Sequence, residues 1–257
     1  MSDLNNNPAT RYGGAVRTGV DVDQGLRSYM LGVYNYMTIG LAITGLFALG
    51  IYMLSISGVP TKYPIGAGRY LTDIGQLLFL SPLKWVVIFA PLGLVFFLSW
   101  RVDKMSVGAA QLTYWIYAAL VGVSLAVILM VYTHTSIARV FFISAASFGA
   151  LSLYGYTTKR DLSGMATFLV MGLIGVIIAS VVNIWLASSM LQWIVSIVGL
   201  LVFAGFTAYD TQDIKNMYDA NDDGTVAGRK SIMGALRLYL DFLNIFLFML
   251  QLMGNRE

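Results

Sequence analysis

Two aspartates, Asp210 and Asp241, are the residues of this chain best placed to do chemistry. Asp241 falls near the middle of an otherwise apolar stretch, 231–253. A carboxylate at that depth in a membrane costs about 2.5–3.5 kcal/mol on insertion scales, so it needs a partner or a water-filled cavity. Asp210 closes the preceding apolar stretch, 190–210, and is the candidate partner. Two carboxyls in a low-dielectric site cannot both ionise cheaply, so they share a proton. Such a pair changes charge with pH and can switch a helix contact, bonded when protonated and repelling when ionised.

The same residues admit a plainer reading. Lys230, Arg237, Asp241, Asn244 and Gln251 follow one another at steps of seven, four, three and seven, which keeps them on one helical face. Lipid rejects such a face, so it points into a bundle or a water path. Arg237 and Asp241 would then form an i, i+4 ion pair, and the stripe would be structural glue. Asp213, one turn beyond Asp210, either extends an acidic mouth or faces the loop. Arg101 ends another apolar stretch on the same side, where it either pairs with Asp210 or anchors the helix end as a positive-inside residue.

Other chemistries find little support. There is no Cys, which removes disulfides, thiolate nucleophiles and Cys-based metal sites. His134 is the only histidine, and no HExxH spacing exists; it reads as a wet loop residue. Asn221-Asp222-Asp223-Gly224 resembles half of a calcium loop, but the twelve-residue ligand pattern is absent. No cofactor is expected. No basic run with interleaved aromatics points to nucleic acid.

The elements that must hold these residues are membrane spans. Hydrophobic residues make up 58% of the chain and charged residues 11%, against a usual charged share of about 25%. With a mean hydropathy of +0.73, the chain reads as an all-α polytopic membrane protein with the lipid bilayer as its surroundings. Seven stretches are long enough to cross: 29–54, 82–100, 109–132, 137–156, 165–187, 190–210 and 231–253. The sequence thus divides into a polar tail, 1–28, expected to be uncleaved, disordered and cytoplasmic, and a seven-helix domain, 29–257. Pro91 is expected to kink the second span, with a neighbour satisfying the carbonyl it frees. The connector 55–82 is broken by prolines and glycines, and its apolar segment 74–80 reads as an interfacial anchor or a lid. Ten Lys/Arg residues on the N-terminal side of the membrane against five on the other predict a cytoplasmic N-terminus and an external C-terminus.

Gly205-Phe206-Thr207-Ala208-Tyr209-Asp210-Thr211-Gln212-Asp213-Ile214, followed by Leu238-Tyr239-Leu240-Asp241-Phe242-Leu243-Asn244, resembles the two-part signature of the Bax inhibitor-1 family. The likeness extends to the seven-span plan, and the short polar tail and lack of Cys suggest a bacterial member in the inner membrane. It implies six helices surrounding a central C-terminal seventh, and a calcium leak gated by protons. In that family the two motif aspartates form the pH-sensing pair, here Asp210 and Asp241, which would also meet calcium transiently. An arginine of the second helix latches the pair, and Arg101 is the candidate; Asp213 and Arg237 are accessory candidates. The basic C-terminal tail of eukaryotic members is missing, so partner binding through it is not expected.

Three functions follow as expectations. The first is a pH-gated calcium leak channel, with calcium and protons as its only small partners. The second is a regulatory interaction protein modulating a membrane-bound ATP-dependent protease, as some bacterial relatives are thought to do, with 1–28 as its handle. The third, an intramembrane aspartyl protease, needs Gly-x-Gly-Asp at the second aspartate, where this chain has Leu238-Tyr239-Leu240-Asp241. The chain is therefore not expected to be an enzyme.

Overall fold

A computed structural model describes residues 19–66 and 68–256, with side chains from residue 24 onward. The expected disordered tail lies outside the described residues up to 18. From Gly19 the chain is already helical, well before the apolar run begins at Tyr29. The helices are α1 (Gly19–Ser55), α2 (Asp73–Phe79), α3 (Leu83–Arg101), α4 (Val107–Val131), α5 (His134–Thr157), α6 (Ala166–Leu186), α7 (Ser189–Asn216) and α8 (Gly224–Met253). Among the described residues, seven of these are long and apolar enough to cross a membrane, all but α2. The protein is an integral, multi-pass membrane protein.

α8 is the central helix. Its most apolar window is 61% buried inside the protein, against 11–33% for the other six spans. α1, α4, α5 and α7 pack directly on it, while α3 lies mainly on α4 and α6 mainly on α7. The six surrounding helices therefore form an inner ring of four and two outliers. This explains the many lipid-facing side chains of α3 and α6, such as Phe96, Trp100, Ile178 and Trp185.

Buried hydroxyls tie the bundle together. Thr44 of α1 lies 2.6 Å from the Tyr239 hydroxyl of α8 and donates to a backbone carbonyl, with those of Ala118 of α4 and Gly40 in reach at 2.9 and 3.0 Å. Thr44 has one hydrogen to give, so Tyr239 is the donor to it. Tyr239 is fully buried and stacks edge-on against Tyr114 and Tyr117. Pro91 sits inside α3 and cannot donate to the carbonyl of Val87. Ser124 of α4 supplies that hydrogen bond instead, at 2.6 Å, as expected of a neighbour.

The connector after α1 holds a structure the sequence did not signal. Ile56–Ser57 (β1), Pro64–Gly66 (β2) and Arg69–Leu71 (β3) form an antiparallel sheet in the order β1-β3-β2. Gly66 and Gly68 take positive φ, 99° and 71°, at the turn between β2 and β3. Thr72 caps α2 and bonds back to the Leu54 carbonyl, so α2 is clamped over the end of α1 with Ile74 and Leu77 outward.

On that same face the C-terminus is stitched to the α4–α5 turn. Thr133 N–H donates to the Asn255 carbonyl at 3.0 Å. Asn255 N–H donates to Ser136 Oγ at 2.9 Å. The Arg256 guanidinium covers the Tyr132 ring. His134, exposed at the start of α5, meets the ring of Tyr52 edge-on.

Candidate functional site

α7 and α8 run antiparallel, joined by the loop 217–223, so residues near the end of α7 face residues early in α8. Four of the five members of the polar stripe find a partner on that seam or near it. Lys230 bonds the Met217 carbonyl at 3.0 Å and the Asp222 carboxylate at 2.5 Å. Arg237 bonds Asp213 at 2.6 Å. Asp241 faces Asp210 across the seam, near enough for the two carboxyls to interact directly. Gln251 accepts from Ser196 at 2.8 Å. Only Asn244 turns to its own helix, donating to the Leu240 carbonyl.

The i, i+4 ion pair between Arg237 and Asp241 is therefore not formed. Arg237 reaches across to α7, and its carboxylate partner is Asp213. The result is a ladder of two rungs. The outer rung is an ion pair with side chains 41% and 32% exposed. The inner rung is the acid pair, with Asp241 only 4% exposed. Among the described residues no cation forms an ion pair with Asp210 or Asp241. Oδ2 of Asp241 is buried with no hydrogen-bond partner, a position that a neutral carboxyl tolerates far better than a carboxylate. For the two carboxyls to bond each other, one of them must carry a proton.

Small residues set the helices close enough for this contact. A Cβ on Gly155 of α5 would lie 2.2 Å from the Ala208 carbonyl oxygen of α7, so glycine is required there. A Cβ on Gly199 would strike the ring of Phe248, and one on Gly234 would press Ile214. A cavity of about 230 Å³ opens beside the ladder, lined by Arg229, Lys230, Arg237, Asp103 and Met217. Its polar lining leaves the outer rung open on that side.

Arg101 is exposed at the end of α3 and makes no hydrogen bond or ion pair with either aspartate among the described residues. The arginine beside the acid pair is Arg237. Three further residues of the same stretch have tasks the sequence did not reveal. Thr211 bonds Ser152 of α5 at 2.9 Å, and Ser152 in turn lies 2.6 Å from the Tyr34 hydroxyl of α1. Gln212 accepts from the Leu162 N–H and donates to the Arg160 carbonyl, both at 2.8 Å, pinning the α5–α6 loop. Lys215 donates to the Tyr156 carbonyl at the end of α5. The available signal was that Asp210, Thr211, Gln212, Asp213 and Lys215 cover every face of one helix end, so each needs a partner.

Among the described residues there is no group of three or more His, Cys, Asp or Glu that could hold a metal. The two carboxyls fall short of the roughly six to eight oxygens of a resting calcium site.

Residues 26–257 match the family described as inhibitor of apoptosis-promoting Bax1. An uncharacterised protein of Rickettsia prowazekii is 45% identical over 235 residues, 91% of this chain and 92% of its own length. The inner membrane protein YbhL of Escherichia coli is 44% identical over 236 residues, 91% of this chain and 94% of its own. A protein of Caulobacter vibrioides is 40% identical over 259 residues, spanning both chains in full. With its acid pair, its seven spans and these relatives, the chain belongs to the Bax inhibitor-1 family.

Proposed function

We propose that the protein is a pH-gated calcium leak channel of a bacterial inner membrane, with Asp210 and Asp241 as a proton-sharing sensor. The observation that carries this reading is the contact between the two carboxyls in the α7–α8 seam. With a proton between them, the acids bond α8 to α7. Without it, two negative charges at low dielectric repel and the seam loosens. Acid pH closes the path and alkaline pH opens it. The Arg237–Asp213 rung steadies the pair from its open side. Calcium is the cargo: the ionised pair attracts it yet offers too few oxygens to retain it. The printed name of YbhL supports the inner membrane as the location, and the Lys/Arg asymmetry supports a cytoplasmic N-terminus.

The test is calcium flux into liposomes holding a calcium-sensitive dye, measured across a pH series. Wild-type flux is expected to rise with pH. Asp210→Asn and Asp241→Asn are each expected to flatten that rise, because one member of the pair can no longer ionise. Wild-type pH profiles in both variants would remove the pair as sensor.

A further inference from the structure

A larger cavity than the one beside the ladder opens elsewhere in the bundle. It is a groove of about 730 Å³ between α1 and α5, walled by Leu31 and Tyr34 on one side and Gly149, Ser152 and Leu153 on the other. α1 and α5 both rest on α8, with their backbones held apart from each other. Leu31 and Leu153, 52% and 62% exposed, form its lips toward the lipid. Arg27 and Tyr156 stand at its mouth, on the N-terminal side of the membrane.

Two features say what fits there. The hydroxyls at the floor are already satisfied: Tyr34 and Ser152 bond each other, and Ser152 bonds Thr211. An occupant therefore meets no unsatisfied donor or acceptor along the walls, which suits hydrocarbon. At the mouth, Arg27 is exposed and, among the described residues, forms no hydrogen bond or ion pair. An unpaired guanidinium over an apolar trough matches an amphiphile with an anionic head and an alkyl tail. From Arg27 to Tyr34 is two helical turns, about 10 Å, most of the ~15 Å of hydrocarbon in one leaflet.

We infer that this groove is a binding site for an anionic glycerophospholipid of the leaflet on the N-terminal side, one acyl chain lying between α1 and α5 and the phosphate on Arg27. The assignment does not rest on calcium movement, although Ser152 at the floor bonds Thr211, the neighbour of Asp210. Gly149 gives a direct handle, since a Cβ there meets nothing within 4 Å. A larger side chain can fill the groove without moving a helix. Gly175 of α6 is equally open and serves as the control.

The experiment is native mass spectrometry of the full-length protein released from nanodiscs containing equal phosphatidylglycerol and phosphatidylcholine. Wild type is expected to retain phosphatidylglycerol several-fold over phosphatidylcholine. Arg27→Gln is expected to remove that preference. Gly149→Phe, or Gly149→Leu if the larger variant does not fold, is expected to lose both lipids, while Gly175→Phe retains them. Equal lipid retention by wild type and the filled-groove variant would overturn the site, and would be the result if residues 1–18 or a second copy of the chain occupied it. A preference unchanged in Arg27→Gln would overturn the assignment of the headgroup.

Discussion

Arg237 bonds Asp213 on the neighbouring helix at 2.6 Å, although Asp241 lies one turn away on its own. The cross-helix choice satisfies the arginine near water and leaves the two deeper acids to each other. Replacing Arg237 with Gln removes the positive charge nearest the pair, so the acids should hold their proton to higher pH. The midpoint of calcium flux is expected to move about half to one pH unit toward alkaline, reduced from a buried pair's effect by the half-exposed geometry. Flux titration of Arg237→Gln in liposomes checks this; a midpoint unmoved or moved toward acid contradicts it.

The same rung has a stability to measure. A double-mutant cycle with Arg237→Ala and Asp213→Ala in detergent is expected to give a coupling of about 0.5–1 kcal/mol, the range of partly exposed ion pairs.

Gly155 and Gly175 make a second pair of expectations. Gly155→Ala drives a methyl group against the Ala208 carbonyl, which as backbone cannot step aside. It is expected to cost about 1–3 kcal/mol and to lower the thermal midpoint, with weakened pH response because α7 shifts under Asp210. Gly175→Ala is expected to change stability by less than about 0.5 kcal/mol. Thermal denaturation in one detergent compares them.

Ser124 and Pro91 are expected to be coupled. Ser124→Ala leaves the Val87 carbonyl without its donor and is expected to cost about 0.5–2 kcal/mol. In a Pro91→Ala background the helix supplies its own N–H, and most of that cost should vanish. Equal costs in both backgrounds would show that Ser124 does not serve that carbonyl.

Asp161, in the α5–α6 loop, accepts from the Ser163 N–H and hydroxyl, both at 2.9 Å. These bonds hold its carboxyl below the ordinary carboxylate range. A carboxyl depressed in the folded state contributes its stability above the unfolded pKa and loses it as pH falls through the folded one. Its titration therefore lies on the acid side of the ordinary carboxylate range. Asp161→Asn is expected to leave the pH profile of flux unchanged, and a shifted midpoint would make this loop part of the sensor.

Much of this architecture was legible because lipid imposes a simple rule on composition. The seven apolar stretches became seven helices, and the periodic stripe on 231–253 became the face of α8 turned to α7. Asp241 and Asp210 could be paired because a carboxylate amid hydrocarbon demands a partner. The choice between Asp213 and Asp241 for Arg237 was not legible, since spacing along one helix allows a pair that helix crossing then replaces. The start of α1 at Gly19 was missed because a polar turn outside the membrane can be helical without any apolar signal. The sheet at 56–71 was missed because its strands are two or three residues long and held by pairing with each other. Gln212 was passed over because a clamp on a distant loop leaves no periodic trace.

The stitching of Asn255 and Arg256 to the α4–α5 turn has a mechanical meaning. It fastens the far end of α8 with backbone bonds that do not titrate, while the near end is held by groups that do. The two ends of the central helix are thus anchored by different chemistries, and only one of them responds to protons.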